Sequence, residues 1–206
     1  MDNVPIREIV LDTEVTGLNA TKGDRIVEIA CVELLNHIPT GKVYEQYINP
    51  GFSMDDDIIA VHGITNEFLS DKPKFQDIMD DFINFIGSDT LIAQNIKFDI
   101  SFLNSELERC HHLPLQNKTI DTLQIARQHF PNQRNHLNAL CERFNIKASK
   151  FSDKRALLDA KLLAKVYRKM IYPTLWERLI RTIKKTKIFL GGFLLDLAVF
   201  CADFDF

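Results

Sequence analysis

Apolar and polar positions change period along the chain, and the changes mark out its elements. Residues 7–11 end in the apolar run Ile9-Val10-Leu11 and read as a buried strand. Residues 25–35 alternate in part, through Ile26, Glu28, Ala30 and Val32, as a strand with one buried face does. Residues 42–48 form a third strand. Lys22-Gly23-Asp24 and Pro39-Thr40-Gly41 supply turn chemistry between them, so the three read as an antiparallel meander closed by Asn49-Pro50-Gly51.

The period then lengthens. Short helical pieces are expected over residues 53–69, around Val61-His62-Gly63-Ile64, with Thr65 able to cap the second. Phe75, Ile78, Met79, Phe82, Ile83 and Ile86 follow helical spacing, and Gly87 ends the stripe. Residues 90–93 are a short buried strand, and residues 100–110 a helix with Phe102, Leu103 and Leu107 inward. Residues 119–122 form a last strand running into helix 123–129, stopped at Pro131, and residues 137–144 form another short helix. The longest periodic segment, residues 153–170, buries Leu157, Leu158, Leu162, Leu163 and Val166 and stops at Pro173. A meander followed by alternating helices and strands indicates an α/β layer fold with a mixed sheet.

Length and charge narrow the classes. A chain of 206 residues, 46% of them hydrophobic, supports one good core plus an appendage. A net charge of −3 argues against a broad basic surface that grips duplex nucleic acid. Cys31, Cys110, Cys141 and Cys201 are scattered, without a C-x-x-C pair, which fits reduced thiols in a cytoplasmic setting and offers no zinc site. No secretory signal is visible at residues 1–6. Residues 173–206 differ in character from the domain over residues 1–172. Lys184, Lys185 and Lys187 precede an apolar block, residues 188–200, that is too short to span a membrane but suits contact with a membrane surface or packing on a protein.

Acids stand where the pattern favours other residues. Asp12 and Glu14 lie two apart at the end of the first strand and so project from one face. Two carboxylates held together repel unless a proton or cation separates them, and a divalent ion with oxygen ligands is the natural cation. Asp99 follows a strand at the start of a helix, and Asp159 borders the leucines of the long helix. A buried lone carboxylate costs several kcal/mol, or stays protonated, unless something pairs with it. Taken singly, D-x-E can be a solvated strand end, Asp159 a partner of Lys161 or Lys165, and His62 an ordinary loop histidine.

Taken in order, D-x-E at 12–14, N-x-x-x-D at 95–99 and A-L-L-D-A at 156–160 resemble the three motifs of the DEDD 3′–5′ exonucleases. The surrounding segments Val10–Leu18, Gly23–Ile29, Val61–Ile64, Phe68-Leu69 with Asp71-Lys72-Pro73, and Phe98-Asp99-Ile100 resemble one branch, the DnaQ-like epsilon proofreading subunits of bacterial DNA polymerase III. The resemblance spans about residues 6–171. It implies a ribonuclease H-like fold and two Mg²⁺ or Mn²⁺ ions about 4 Å apart, held by Asp12, Glu14, Asp99 and Asp159. It also implies that Thr13, Glu14 and Asp159 meet the terminal nucleotide. His62 and Asp57 would meet its sugar or phosphate side, and Leu18 and Phe98 would line its base. Asp121 matches a further acid of the family and is expected to support its own turn.

The third motif departs from the family, beside milder departures at Val15, Gln94, Ile96, Lys97 and Asn138. The family carries histidine five residues before the last aspartate, and here that position is Lys154, followed by Arg155. A lysine beside four carboxylates is held in its charged form, which cannot accept a proton from water. The expected activity is 3′–5′ hydrolysis of a single-stranded or frayed DNA end, weakened at Lys154, beside a replicative polymerase subunit. The alternative is a catalytically impaired polymerase- or nucleic-acid-binding module.

Overall fold

Three antiparallel strands, β1 (Arg7–Val15), β2 (Ile26–Leu35) and β3 (Ile38–Tyr47), make one side of a five-stranded sheet in the computed structural model of the chain. The structure describes residues 5–147 and 156–172. Strand β4 (Thr90–Ala93) runs parallel to β1, and β5 (Thr119–Asp121) parallel to β4, giving the order β3-β2-β1-β4-β5. The helices are α1 (Asp56–His62), α2 (Asn66–Leu69), α3 (Phe75–Ile86), α4 (Ile96–Arg109), α5 (Thr122–His129), α6 (Leu137–Arg143) and α7 (Ala156–Ile171). This is the mixed sheet flanked by helices that the periodicity predicts.

Both faces of the sheet are covered. On one, Ile9, Leu11, Ile29 and Cys31 pack against Phe75, Phe82 and Ile86 of α3 and Phe102, Leu103 and Leu107 of α4. On the other, Val10, Val32, Leu34 and Ile92 pack against Ala160, Leu163, Ala164 and Tyr167 of α7. A side chain as fully buried as Phe82 stabilises the fold by about 1.5–3 kcal/mol. This double cover corrects the half-buried reading of β2, which is buried from Ile26 to Leu34.

The β2–β3 hairpin also turns elsewhere than expected. It reverses at Asn36 and His37, with φ of 49° and 65°, and Pro39-Thr40-Gly41 lies within β3. Two consecutive positive φ values give the tight turn that matches strand twist. Pro39 is tolerated because β3 is an edge strand.

Two buried carboxylates fix α7 along β1. Glu8 accepts a hydrogen bond from the Tyr167 hydroxyl at 3.0 Å, and Glu28 accepts one from the Ala156 backbone N–H at 3.2 Å. Glu28 lies opposite Glu14 in the β1–β2 ladder. Ala156 and Tyr167 are separated by about 16 Å of helix, and Glu14 and Glu8 by about 20 Å of strand. Helix α7 therefore runs antiparallel to β1, with its first turns beside Asp12 and Glu14. Among the described residues no helix is long and apolar enough to cross a membrane. The apolar block at 188–200, and all of 173–206, lie outside the described residues.

Candidate active site

Strand β1 is longer than its apolar run suggests and continues through the acids to Val15. Its ladder with β4 ends at Val10 and Ile92, so beyond that point its β4 side lies open. Asp12 and Glu14 share the α7 face with Glu8 and Val10, because strand side chains alternate. Thr13 faces the other way, toward α4. The backbone turns out of β4 at Asn95, which adopts a left-handed conformation (φ 66°), and α4 starts at once. That start is four residues earlier than the apolar pattern suggests, and Asp99 lies in the first helical turn, at the helix start where the sequence puts it.

Asp99 is buried at 4% exposure, and the Thr13 hydroxyl donates to its Oδ1 at 2.9 Å. Burial pushes the Asp99 carboxyl up to about 7; the Thr13 hydrogen bond opposes the rise and the charge of Asp121 adds to it. Asp12 is pushed well above the ordinary aspartate range, first by burial and then by Asp99, Asp159, Glu14 and Glu28. The four acids singled out in the sequence therefore occupy one electrostatic neighbourhood, at the junction of β1, α4 and the first turn of α7. Among the described residues, no three His, Cys, Asp or Glu side chains are already gathered into a formed metal site.

Sequence reasoning did not single out Glu28. It is wholly buried, faces Glu14 and raises Asp12, while also holding the start of α7. Its only signal is a carboxylate inside the apolar stretch Ile26-Val27-Glu28-Ile29. Arg25 and Glu106 were missed as well. The Arg25 guanidinium donates to both Glu106 oxygens, at 2.6 and 2.7 Å, and Glu106 also accepts from the Ile26 N–H at 3.3 Å. This bidentate pair ties the last turn of α4 to the start of β2, and with it the helix that carries Phe98 and Asp99.

The remaining candidates surround the acids by different means. Leu18 is 86% exposed. It sits on a loop where a Cβ at Gly17 would collide with the Asp24 carboxylate, which itself accepts from the Asn19 N–H at 2.8 Å. Phe98 is half-buried and leans on Phe102, with ring centroids 4.9 Å apart. Asp57 stands exposed in the first turn of α1, and His62 is buried in its last. Met54, Ile64 and Leu69 seat α1 and α2 on Val27 of β2, next to Glu28.

His62 Nδ1 accepts from the Ile64 N–H at 3.0 Å, which leaves the proton on Nε2. That Nε2 is buried with no partner among the described residues, and desolvation lowers the ring's pKa. A neutral imidazole with a buried, unsatisfied donor is suited to an oxygen acceptor from a ligand. Asp121 behaves as expected of a structural acid. Its Oδ1 accepts from the Asn95 and Leu123 N–H groups, at 3.0 and 2.9 Å. Lys154 and Arg155 lie outside the described residues.

Comparison with known proteins agrees with this geometry. A family model described as Exonuclease matches residues 9–167. The chain is 48% identical over 166 residues to the DNA polymerase III subunit epsilon of Rickettsia prowazekii (strain Madrid E), covering 79% of this chain and 72% of that one. It is 44% identical over 168 residues to the protein of the same name from Buchnera aphidicola subsp. Acyrthosiphon pisum (strain APS), covering 78% and 71%. Its fold superposes on the nuclease domain of 3'hExo, described as a DEDDh family member bound to rAMP. The TM-score is 0.70, at 19% identity over 83% of this chain and 94% of that one.

Proposed function

The chain belongs to the exonuclease family, in the branch of the DNA polymerase III epsilon subunits, and from that premise we propose how its own residues perform the reaction. It is a 3′–5′ exonuclease of the proofreading kind. What supports the assignment of its centre is one observation: Asp12, raised first by its burial at the end of β1, is raised further by the charges of Asp99, Asp159 and Glu14 together. Such a group at a sheet end is destabilising by itself, and a cation relieves it.

Asp12, Glu14, Asp99 and Asp159 would hold two Mg²⁺ or Mn²⁺ ions, since hard oxygen donors suit those metals. When bound, the ions supply an activated water and charge stabilisation for the leaving 3′ oxygen. The protein's own groups prepare the rest. The Thr13 hydroxyl orients Asp99. Exposed Leu18 and half-buried Phe98 receive the terminal base through apolar contact, which every base can make. Buried His62 Nε2–H donates to an oxygen of the sugar or phosphate, and Asp57 borders the same side. Thr13, Glu14 and Asp159 meet the terminal nucleotide.

In sequence Lys154 occupies the position of the family's general-base histidine, and a charged lysine cannot take a proton from water, so the rate is lowered without being abolished. Replacement of that histidine also favours a second reading, in which the chain is an impaired binding module. The substrate is a single-stranded or frayed DNA 3′ end, presented in the cytoplasm by the polymerase III subunit that the chain accompanies.

Primer–template duplexes with paired and mispaired 3′ ends test this reading, with Mg²⁺ and with Mn²⁺. Release of 5′-mononucleotides, faster from the mispaired end and absent without divalent ion, is the expected result. Equal rates from both ends would contradict the frayed-end substrate, and no release in either metal would favour the binding module.

A further inference from the structure

A cavity of about 710 Å³ opens past the end of β4. Its walls include Gln94, Arg127, Asn132, Gln133, Asn135 and His136, and no carboxylate lines it. In a chain of net charge −3, an acid-free wall carrying a guanidinium, an imidazole and several amides suits an anion. The volume falls in the range of ordinary ligand sites.

Three features make it more than a surface hollow. The first is its place: β4 runs parallel to β1, so Gln94 emerges at the sheet end that carries Asp12 and Glu14. Asp121 connects the two regions. It accepts from the Asn95 N–H, caps α5, which carries Arg127, and adds to the rise of Asp99.

The second is the state of Arg127. Arg7 pairs with Glu33 and Asp89, Arg25 with Glu106, and Arg143 bonds Asn135 and lies over Phe130. Arg127 is exposed and has no ion pair or hydrogen bond among the described residues. The third is a prepared wall. The Gln94 amide donates to the Asn135 carbonyl at 2.8 Å, and the buried Asn135 side chain donates to the Phe130 carbonyl at 3.0 Å. Those bonds fix one side of the cavity; His136 Nδ1 accepts from the Ala139 N–H at 3.4 Å, which leaves its Nε2–H, with Arg127, to face a ligand.

We infer that this cavity holds a phosphodiester of the DNA strand upstream of its 3′-terminal nucleotide, with Arg127 as the charged contact and Gln133 and His136 as hydrogen-bond donors. The inference rests on the proposed nuclease function and extends it from the terminal nucleotide to the strand behind it. A strand held at two points keeps its end in register while the acids act on the terminal bond.

The test is fluorescence anisotropy of a labelled single-stranded octanucleotide with the full chain in EDTA, so that no cleavage intervenes, over a range of salt. Arg127→Gln is expected to bind roughly tenfold more weakly, as loss of one charge-assisted contact implies. Its plot of log affinity against log salt should be shallower by about 0.7, the share of one phosphate on a single strand. Arg127→Lys should keep the parent slope. Arg168→Gln, an equal charge change on the exposed face of α7, should leave both quantities as they are. Unchanged affinity and slope in Arg127→Gln would overturn the inference, as would an equal loss in Arg168→Gln. A clear Arg127 effect in a protein that degrades no 3′ end would keep the cavity assignment and refute the nuclease reading.

Discussion

Removing the charge of Asp99 should destroy activity and stabilise the metal-free fold. At pH 3 the group is protonated in both the folded and the unfolded chain and contributes nothing to the difference. As pH rises past the ordinary value of 3.8, the unfolded chain releases its proton while folded Asp99 keeps its own until about 7. The folded state therefore loses about 1.4 kcal/mol per pH unit across that window, a total of about 4 kcal/mol by pH 8. Asp12, raised first by burial and then by Asp99, Asp159, Glu14 and Glu28, acts in the same direction.

Asp99→Asn keeps the oxygen that accepts from Thr13 and carries no charge. In EDTA at pH 8 it should be more stable than the parent by about 2–4 kcal/mol, and the two should converge near pH 4. Urea unfolding followed by circular dichroism at four pH values reads this directly. Mn²⁺ should then raise the parent's midpoint more than the variant's, because the parent has the larger repulsion to relieve. A variant less stable than the parent at pH 8, or a difference independent of pH, would refute the electrostatic account of the site.

Two other changes separate positioning from chemistry. His62→Asn should raise KM for oligonucleotide ends about tenfold, the value of one buried hydrogen bond, with a small change in kcat. Because the ring's pKa is lowered, the parent's KM should show no histidine titration between pH 7 and 8.5. Glu106→Gln removes the charge that pairs with partly exposed Arg25 while keeping one acceptor oxygen, and should cost about 1.5–3 kcal/mol of stability. Urea unfolding measures that cost, and the loss should be the same with and without Mn²⁺, since the pair supports α4 rather than the ions.

Much of this site is legible in sequence because alternation is local. Asp12 and Glu14 must share a face whatever surrounds β1, and the apolar stripe of α3 appears where its spacing places it, from Phe75 to Ile86. What sequence hides depends on contacts between distant segments. Glu28 passes for the polar side of an alternating strand until α7 covers that face and makes it a buried acid opposite Glu14. The pairing of Arg25 with Glu106, 81 residues away, has no local signature. Pro39-Thr40-Gly41 carries stronger turn chemistry than Asn36-His37, yet the hairpin turns at the latter, where strand twist demands two positive φ values. The open edge of β1 beyond Val10, which lets Asp99 approach Asp12, follows from where β4 stops.

Hydrolysis from the 3′ end depends on these acids. That dependence is tested most directly with a 5′-end-labelled single-stranded oligonucleotide and Mn²⁺, comparing the parent with Asp12→Ala and Lys154→His. The parent should give a ladder of products shortened one nucleotide at a time from the 3′ end. It should vanish in Asp12→Ala and form about 10²-fold or more faster in Lys154→His. A ladder that survives Asp12→Ala, or one that begins from the 5′ end, would contradict that dependence.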